Sequence, residues 1–133
     1  YSGTLGAAFE AVRCGLPPMA FSIRSENHLP GAEACLRQLL GELLKKDPGR
    51  GNVWNVNIPS LKDGMPGGIL YDRTIAPVSM YQESYIETTA PDGTVTLLTN
   101  GKPTSGECIP EGTDAAAVRS GFVSVGLVSC GVL

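Results

Sequence analysis

The stretch YSGTLGAAFEAVRCGLPPMAFSI, Tyr1–Ile23, decides the fold. Leu5, Ala8, Phe9 and Val12 recur at helical spacing, which predicts a helix over Leu5–Cys14. Ser2 and Thr4 are both candidate N-caps, and Gly15 is a candidate C′ glycine. Leu16–Pro18 turns the chain, and Met19–Ile23 (MAFSI) reads as a short buried strand. A helix followed at once by a core strand is the second half of a βαβ unit, so the class is α/β.

Working outward, GAEACLRQLLGELLKK (Gly31–Lys46) is the strongest helix pattern. Ala32, Cys35, Leu36, Leu39, Leu40, Leu43 and Leu44 form its apolar stripe, with Glu33, Arg37, Gln38, Glu42 and Lys45 facing outward. DPGRGN (Asp47–Asn52) stops it. VWNVNI (Val53–Ile58) is a strand with Asn55 and Asn57 on one side and Trp54, Val56 and Ile58 on the other. GGILYDRTIA, YQESYIETTA and TVTLLTN read as β-rich, and Ala90–Gly93 (APDG) is a hairpin turn between the last two. GTDAAAVRSG predicts a short helix capped by Thr113 or Asp114, and FVSVGLV a final strand. The chain therefore reads as one domain in three parts: an α/β part over 1–60, a β-rich part over 61–110 with a hairpin arm at 81–100, and a helix and strand over 111–133 that return to the α/β core.

The composition bounds the function. The chain has 133 residues, 42% of them apolar and 17% charged, with 10 Lys plus Arg against 13 Asp plus Glu. A globular chain of this length buries roughly two-thirds of its unfolded surface, enough for a real core. The net charge of −3 and the lack of a basic stripe argue against a nucleic-acid polymer as partner. No apolar run approaches the roughly 20 residues of a bilayer span, so no membrane partner is expected. The four cysteines, Cys14, Cys35, Cys108 and Cys130, form no CxxC pair, and His28 is the single histidine. That pattern predicts reduced, structural thiols in a cytoplasmic protein rather than a zinc site.

Chemistry-bearing residues are few. A helix start offers unpaired N–H groups and about half a positive charge, and a glycine lets a phosphate approach the backbone. Ser2, Gly3 and Thr4 fit that role, with an anion on the N–H groups of Gly3, Thr4 and Leu5. On the motif alone, simple capping by Ser2 or Thr4 is the commoner use. His28 lies in a polar loop (SENHLPG) with no paired carboxylate or serine motif around it and reads as a solvated loop residue or helix-start contact rather than a general base. Asp72 with Arg73, and Glu111 with Asp114, read as solvated pairs or caps. Asn55 and Asn57 read as satisfying nearby backbone. No residue set makes a self-sufficient catalytic or metal site.

Three separated motifs, in order, resemble the SurE family of stationary-phase survival proteins: YSGTLGAAFEAVRCGLPPMAFSI, NVWNVNIP (Asn52–Pro59) and GTDAAAVRSGFVSV (Gly112–Val125). The family's members are metal-dependent 5′/3′-nucleotidases. The resemblance implies the C-terminal part of a Rossmann-like, three-layer α/β fold with a protruding β-hairpin arm. It implies hydrolysis of a nucleoside 5′-monophosphate with magnesium or manganese, and a phosphate pocket lined by Ser2, Gly3 and Thr4. The family's metal-binding aspartate pair, serine and asparagine-rich glycine loop precede the first motif, and no Asp-Asp pair occurs in this sequence. By that resemblance Tyr1 lies in the middle of a longer protein, and this chain by itself is expected to be inactive. The arm Tyr81–Asn100 is expected to join subunits into a homodimer or tetramer. The rival reading is a non-catalytic oligomerisation or phosphate-binding module. The tail, VSVGLVSCGVL, departs from the family's VSxTPL pattern.

Overall fold

The computed structural model describes residues 2–23, 30–60, 64–79, 81–82, 84–103 and 109–131. Helices are α1 (Gly3–Arg13), α2 (Pro30–Leu43) and α3 (Asp114–Arg119). Strands are β1 (Met19–Ile23), β2 (Asn52–Ile58), β3 (Ile69–Leu70), β4 (Tyr81–Gln82), β5 (Tyr85–Thr89), β6 (Val95–Thr99), β7 (Lys102–Pro103) and β8 (Val123–Ser129). The chain divides into two compact units, Tyr1–Ala76 with Pro110–Leu133, and Pro77–Ile109.

The larger unit is an α/β layer structure around a mixed sheet of order β1-β2-β8-β3. β1 and β2 are parallel, joined through α2, while β8 runs antiparallel to β2 and parallel to β3. Strand alternation sends the two sets of side chains to opposite faces. Val56 and Ile58 of β2 and Val123 and Val125 of β8 pack with Cys35, Leu39 and Leu43 of α2. Ala20 and Val53, on the other face, pack with Ala8 and Val12 of α1. The β2 alternation thus follows its sequence pattern.

Helix α1 starts two residues earlier than its apolar spacing suggests. Ser2, not Thr4, is the N-cap: its Oγ accepts the Leu5 N–H at 3.3 Å. Helix α2 opens on Pro30, where a missing N–H costs nothing, and ends at Leu43 rather than Lys46. Its final turn tightens, with the N–H groups of Lys45 and Lys46 donating to the carbonyls of Glu42 and Leu43 at 3.2 and 3.0 Å. The apolar stripe is wider than the face it buries. Leu39 and Leu43 are fully enclosed, but Leu36, Leu40 and Leu44 are 38%, 42% and 67% exposed. A helix on a sheet buries only one sector of its circumference; Leu36 and Leu40 lie outside it, and Leu44 follows the last residue of the helix.

The segment GGILYDRTIA forms a strand only at Ile69–Leu70, because Asp72 takes a left-handed φ of 58° and turns the chain out of the ladder. Thr113, not Asp114, caps α3, accepting the Ala116 N–H at 3.3 Å. Asp114 Oδ1 instead accepts from the backbone N–H groups of Ala76 and Ala115, at 2.9 and 2.7 Å.

In the smaller unit, β5 and β6 form the hairpin, with Tyr85 opposite Thr99 and Thr89 opposite Val95. Its turn is closed by Gly93 N–H donating to Ala90 O at 2.9 Å and Ala90 N–H donating to Thr94 O at 2.8 Å. Gly93 takes φ 84°, and Asp92 accepts the Thr94 N–H at 2.9 Å. The run YQESYIETTA, expected as one strand, divides into β4 and β5. Ser84 lies between them and both donates its hydroxyl to Asn100 O and accepts the Asn100 N–H.

Candidate functional site

The start of α1 is open. Ser2, Gly3 and Thr4 are all exposed, and a Cβ on Gly3 would meet nothing within 4 Å. Of the three N–H groups anticipated for an anion, that of Leu5 is already taken by the Ser2 hydroxyl. Those of Gly3 and Thr4 have no intrahelical acceptor, since the first hydrogen bond of the ladder is Gly6 N–H to Ser2 O at 2.9 Å. No acidic residue occupies the first turn, so nothing there offsets the positive end of the helix dipole.

The sheet beneath α1 carries Asn57 together with two polar residues, Ser22 and Ser124, that the sequence pattern alone did not mark. Register sets Ser22 of β1 opposite Asn57 of β2, and Asn57 opposite Ser124 of β8. Asn57 Nδ2 and Ser124 Oγ are buried and have no hydrogen-bond partner. Asn57 was expected to satisfy nearby backbone through its side chain, yet its amide nitrogen does not. Ser22 and Ser124 sit in runs that read as plain strand, and only cross-strand register brings them beside Asn57.

Two grooves flank this sheet. One of about 410 Å³ lies at the C-terminal end of β1 and β2, lined by Phe21, Ser22, Ile23, Ala32, Glu33, Leu36 and Ile58. Another of about 480 Å³ lies where α1 turns into β1 and α2 into β2, and there Arg13, Asp47 and Arg50 supply its charge. Ligands of open α/β sheets collect at the carboxyl ends of parallel strands, which is the first of these ends.

Other polar and charged groups are tied into the fold. Arg73 donates its Nε to the Tyr71 carbonyl at 2.7 Å rather than pairing with Asp72. The Tyr71 hydroxyl donates to both oxygens of Glu42, and Lys46 donates to Glu42 Oε1 at 2.6 Å. Those donors, Lys46 first, hold the Glu42 carboxyl below its ordinary range. Burial, reinforced by the Glu42 charge, pushes the Tyr71 hydroxyl up to about 12. Burial likewise raises the Cys35 thiol. Cys14, Cys35 and Cys130 are free thiols, Cys14 exposed at the end of α1 rather than in the core. His28 and Cys108 lie outside the described residues. Among the described residues no group of three or more His, Cys, Asp or Glu side chains could hold a metal ion, and no helix is long and apolar enough to cross a membrane.

Comparison with known proteins bears on this geometry. Residues 1–83 match the family model described as Survival protein SurE. The chain is 35% identical over 128 residues to the 5′/3′-nucleotidase SurE of Shigella dysenteriae serotype 1, covering 94% of this chain and 48% of that relative. The 5′/3′-nucleotidase SurE of Escherichia coli O157:H7 matches with the same identity and coverage. The crystal structure of the SurE protein from Aquifex aeolicus superposes on all of this chain and 53% of its own, with a TM-score of 0.72 at 27% identity. The chain spans about half the length of the curated relatives it matches. With the helix start, the strand order and this likeness together, the chain belongs to the SurE family.

Proposed function

We propose that this chain is the phosphate-holding part of a nucleoside-monophosphate phosphohydrolase, with Ser2, Gly3 and Thr4 as the phosphate contacts. The observation that carries the reading is the open start of α1 in a chain whose relatives are named 5′/3′-nucleotidase. The N–H groups of Gly3 and Thr4 and the Thr4 hydroxyl donate to phosphoryl oxygens, and the helix end offsets their charge. That stabilisation persists as charge redistributes over the equatorial oxygens during phosphoryl transfer. Ser2 Oγ accepts the Leu5 N–H, holding the first turn in place, and its own O–H donates to the phosphate.

The described residues do not fit a divalent cation. The magnesium or manganese that the resemblance implies finds no cage among them, and the first turn of α1 carries no carboxylate. They bind and orient a phosphate; nothing in that turn serves as a general base.

Calorimetric titration of the chain with 5′-AMP and with inorganic phosphate tests this. The wild-type chain is expected to bind both. Gly3→Asp puts a carboxylate on the helix start, where it suits the dipole and its Cβ meets nothing within 4 Å, so stability holds or rises while anion binding falls at least about tenfold. A wild-type chain that binds neither, or a Gly3→Asp variant that binds equally well, would overturn the assignment. Phosphate release from 5′-AMP with magnesium or manganese is expected at background for the 13.9 kDa chain. Turnover that follows that species would mean catalytic groups lie within it.

A second role is supported by the hairpin. Tyr85, Val95 and Leu97 on one face and Ile86 with Leu98 on the other are all about half exposed or more, apolar faces suited to an oligomer contact in a homodimer or tetramer.

A further inference from the structure

Asn100–Gly101 is the one Asn-Gly step in the sequence, and it lies at the foot of the hairpin, between β6 and β7. The backbone nitrogen that follows an asparagine can attack the side-chain amide and close a succinimide ring. The nitrogen must be unhindered, and neither group may be held elsewhere. Glycine meets the first condition, having no Cβ and the widest choice of backbone conformation. The structure meets the second. Asn100 and Gly101 are both exposed. Asn100 is tied to Ser84 by its backbone alone: its N–H donates to Ser84 O at 2.7 Å, and its C=O accepts the Ser84 hydroxyl. Among the described residues, neither the Asn100 side-chain amide nor the Gly101 N–H has a hydrogen-bond partner.

Elsewhere among the described residues the fold blocks the same chemistry. Asn52, Asn55 and Asn57 are followed by Val53, Val56 and Ile58, β-branched residues enclosed in the central strand β2. Their stiff side chains crowd the nitrogen, and the pairing of β2 with β1 and β8 holds the backbone in place. Asn52 also donates its amide to Pro48 O at 2.9 Å. At Asp92–Gly93, the acid counterpart, the Gly93 N–H donates to Ala90 O and Asp92 Oδ1 accepts the Thr94 N–H, both at 2.9 Å. The Thr94 bonds hold the Asp92 carboxyl below its ordinary range, and a carboxylate is a poorer electrophile than an amide.

We propose that Asn100 is a self-modification site, at which the Gly101 nitrogen attacks Cγ of Asn100 and the amide becomes a carboxylate without an enzyme. The N–Cγ bond forms as the Cγ–Nδ2 bond breaks, and ammonia leaves with the proton given up by the Gly101 nitrogen. Water then opens the ring at either carbonyl. Opening at Cγ gives an aspartyl residue with the backbone restored. Opening at the α-carbonyl gives the isoaspartyl form, in which the chain runs through Cγ, one carbon longer, and the α-carbonyl becomes a free carboxylate. Either product adds a negative charge at the foot of the hairpin. The longer form also displaces the next pairing along the chain, Gln82 with Lys102 and Tyr81 with Pro103.

Peptide mapping of the full chain by mass spectrometry tests this, with the guanidinium-unfolded chain as the clock. Folded and unfolded samples are held side by side in warm, mildly alkaline buffer. In the folded chain the peptide holding Asn100 is expected to gain one mass unit, localised to that residue by fragmentation, and to split into two chromatographic peaks. Its rate should lie within severalfold of the unfolded rate, while the peptide holding Asn55 and Asn57 stays unchanged. Gly101→Ala is expected to slow the gain severalfold, because the added Cβ hinders the nitrogen. Asn100→Gln, whose longer side chain closes the ring poorly, is expected to abolish it. A folded chain whose Asn100 stays intact while the unfolded chain converts would overturn the proposal. So would an equal rate in Gly101→Ala, or a gain in this peptide that persists in Asn100→Gln.

Discussion

The carbonyl of Arg73 lies directly against the Cα of Gly126, so closely that a Cβ built on the glycine would overlap the carbonyl oxygen. The contact is the centre of a strap. After β3 the chain turns at Asp72 and crosses β8, with Arg73 N–H donating to Val125 O at 3.1 Å. It is then tied to the start of α3, as Thr74 N–H donates to Gly112 O at 3.2 Å and Asp114 N–H to Thr74 O at 2.8 Å. A side chain at Gly126 would push this strap off the sheet.

Gly126→Ala is therefore expected to destabilise the chain by ~3 kcal/mol, since backbone, unlike a flexible side chain, cannot step aside. Urea denaturation measures it. A midpoint equal to that of the parent would mean that the strap does not cross β8 at this residue.

The Tyr71–Glu42 hydrogen bonds set a pH dependence at the alkaline end. The Tyr71 hydroxyl titrates from 10.0 when unperturbed to about 12 in the fold, so the folded chain holds that proton more tightly than the unfolded one. Its contribution is fully present below pH 10 and is lost as the pH rises from 10 to about 12. Tyr71→Phe is expected to cost about 1 kcal/mol at neutral pH and to flatten stability across that window, measured by denaturation at a series of pH values. An unchanged alkaline slope in the variant would contradict the assignment.

Capping distinguishes the two hydroxyls of the first motif. Ser2→Ala removes the acceptor of the Leu5 N–H and is expected to lower stability by about 1 kcal/mol. Thr4→Ala, within the helix and exposed, should change stability by less than about 0.5 kcal/mol while weakening phosphate binding. Thermal melts with and without phosphate read both effects. Equal stability losses for the two variants would point to Thr4 as a second cap.

The hairpin has two unlike faces. Cross-strand register groups Tyr85, Leu97 and Val95 on one and Ile86 with Leu98 on the other. If the larger apolar face joins subunits over at least about 1,000 Å², Tyr85→Asp and Leu97→Asp should each yield monomers by light scattering. A wild-type monomer, or an oligomer indifferent to both, would exclude that face as the contact.

Much of the fold is local and was readable from residue order. The helix at the start, the strand MAFSI (though only its Ala20 is buried, at the sheet edge), the asparagine alternation of β2 and the Ala90–Gly93 turn each depend on spacing or backbone preference within a few residues. Cap choice was readable only to within two residues, because Ser2 and Thr4 both have the right side chain and the helix itself decides which lies one step outside it.

What residue order could not supply is what long-range pairing decides. The seven-residue stripe of α2 says that the helix is amphipathic, but the sheet's position determines that Leu39 and Leu43 are enclosed while Leu36, Leu40 and Leu44 are not. Ser22, Asn57 and Ser124 lie far apart along the chain and become neighbours only through the β1-β2-β8 register. Gly126 looks like any strand glycine until the strap after Asp72 is laid across it. Periodicity is a property of one segment, whereas register, burial and close approach belong to pairs of segments and exist only once the chain has folded.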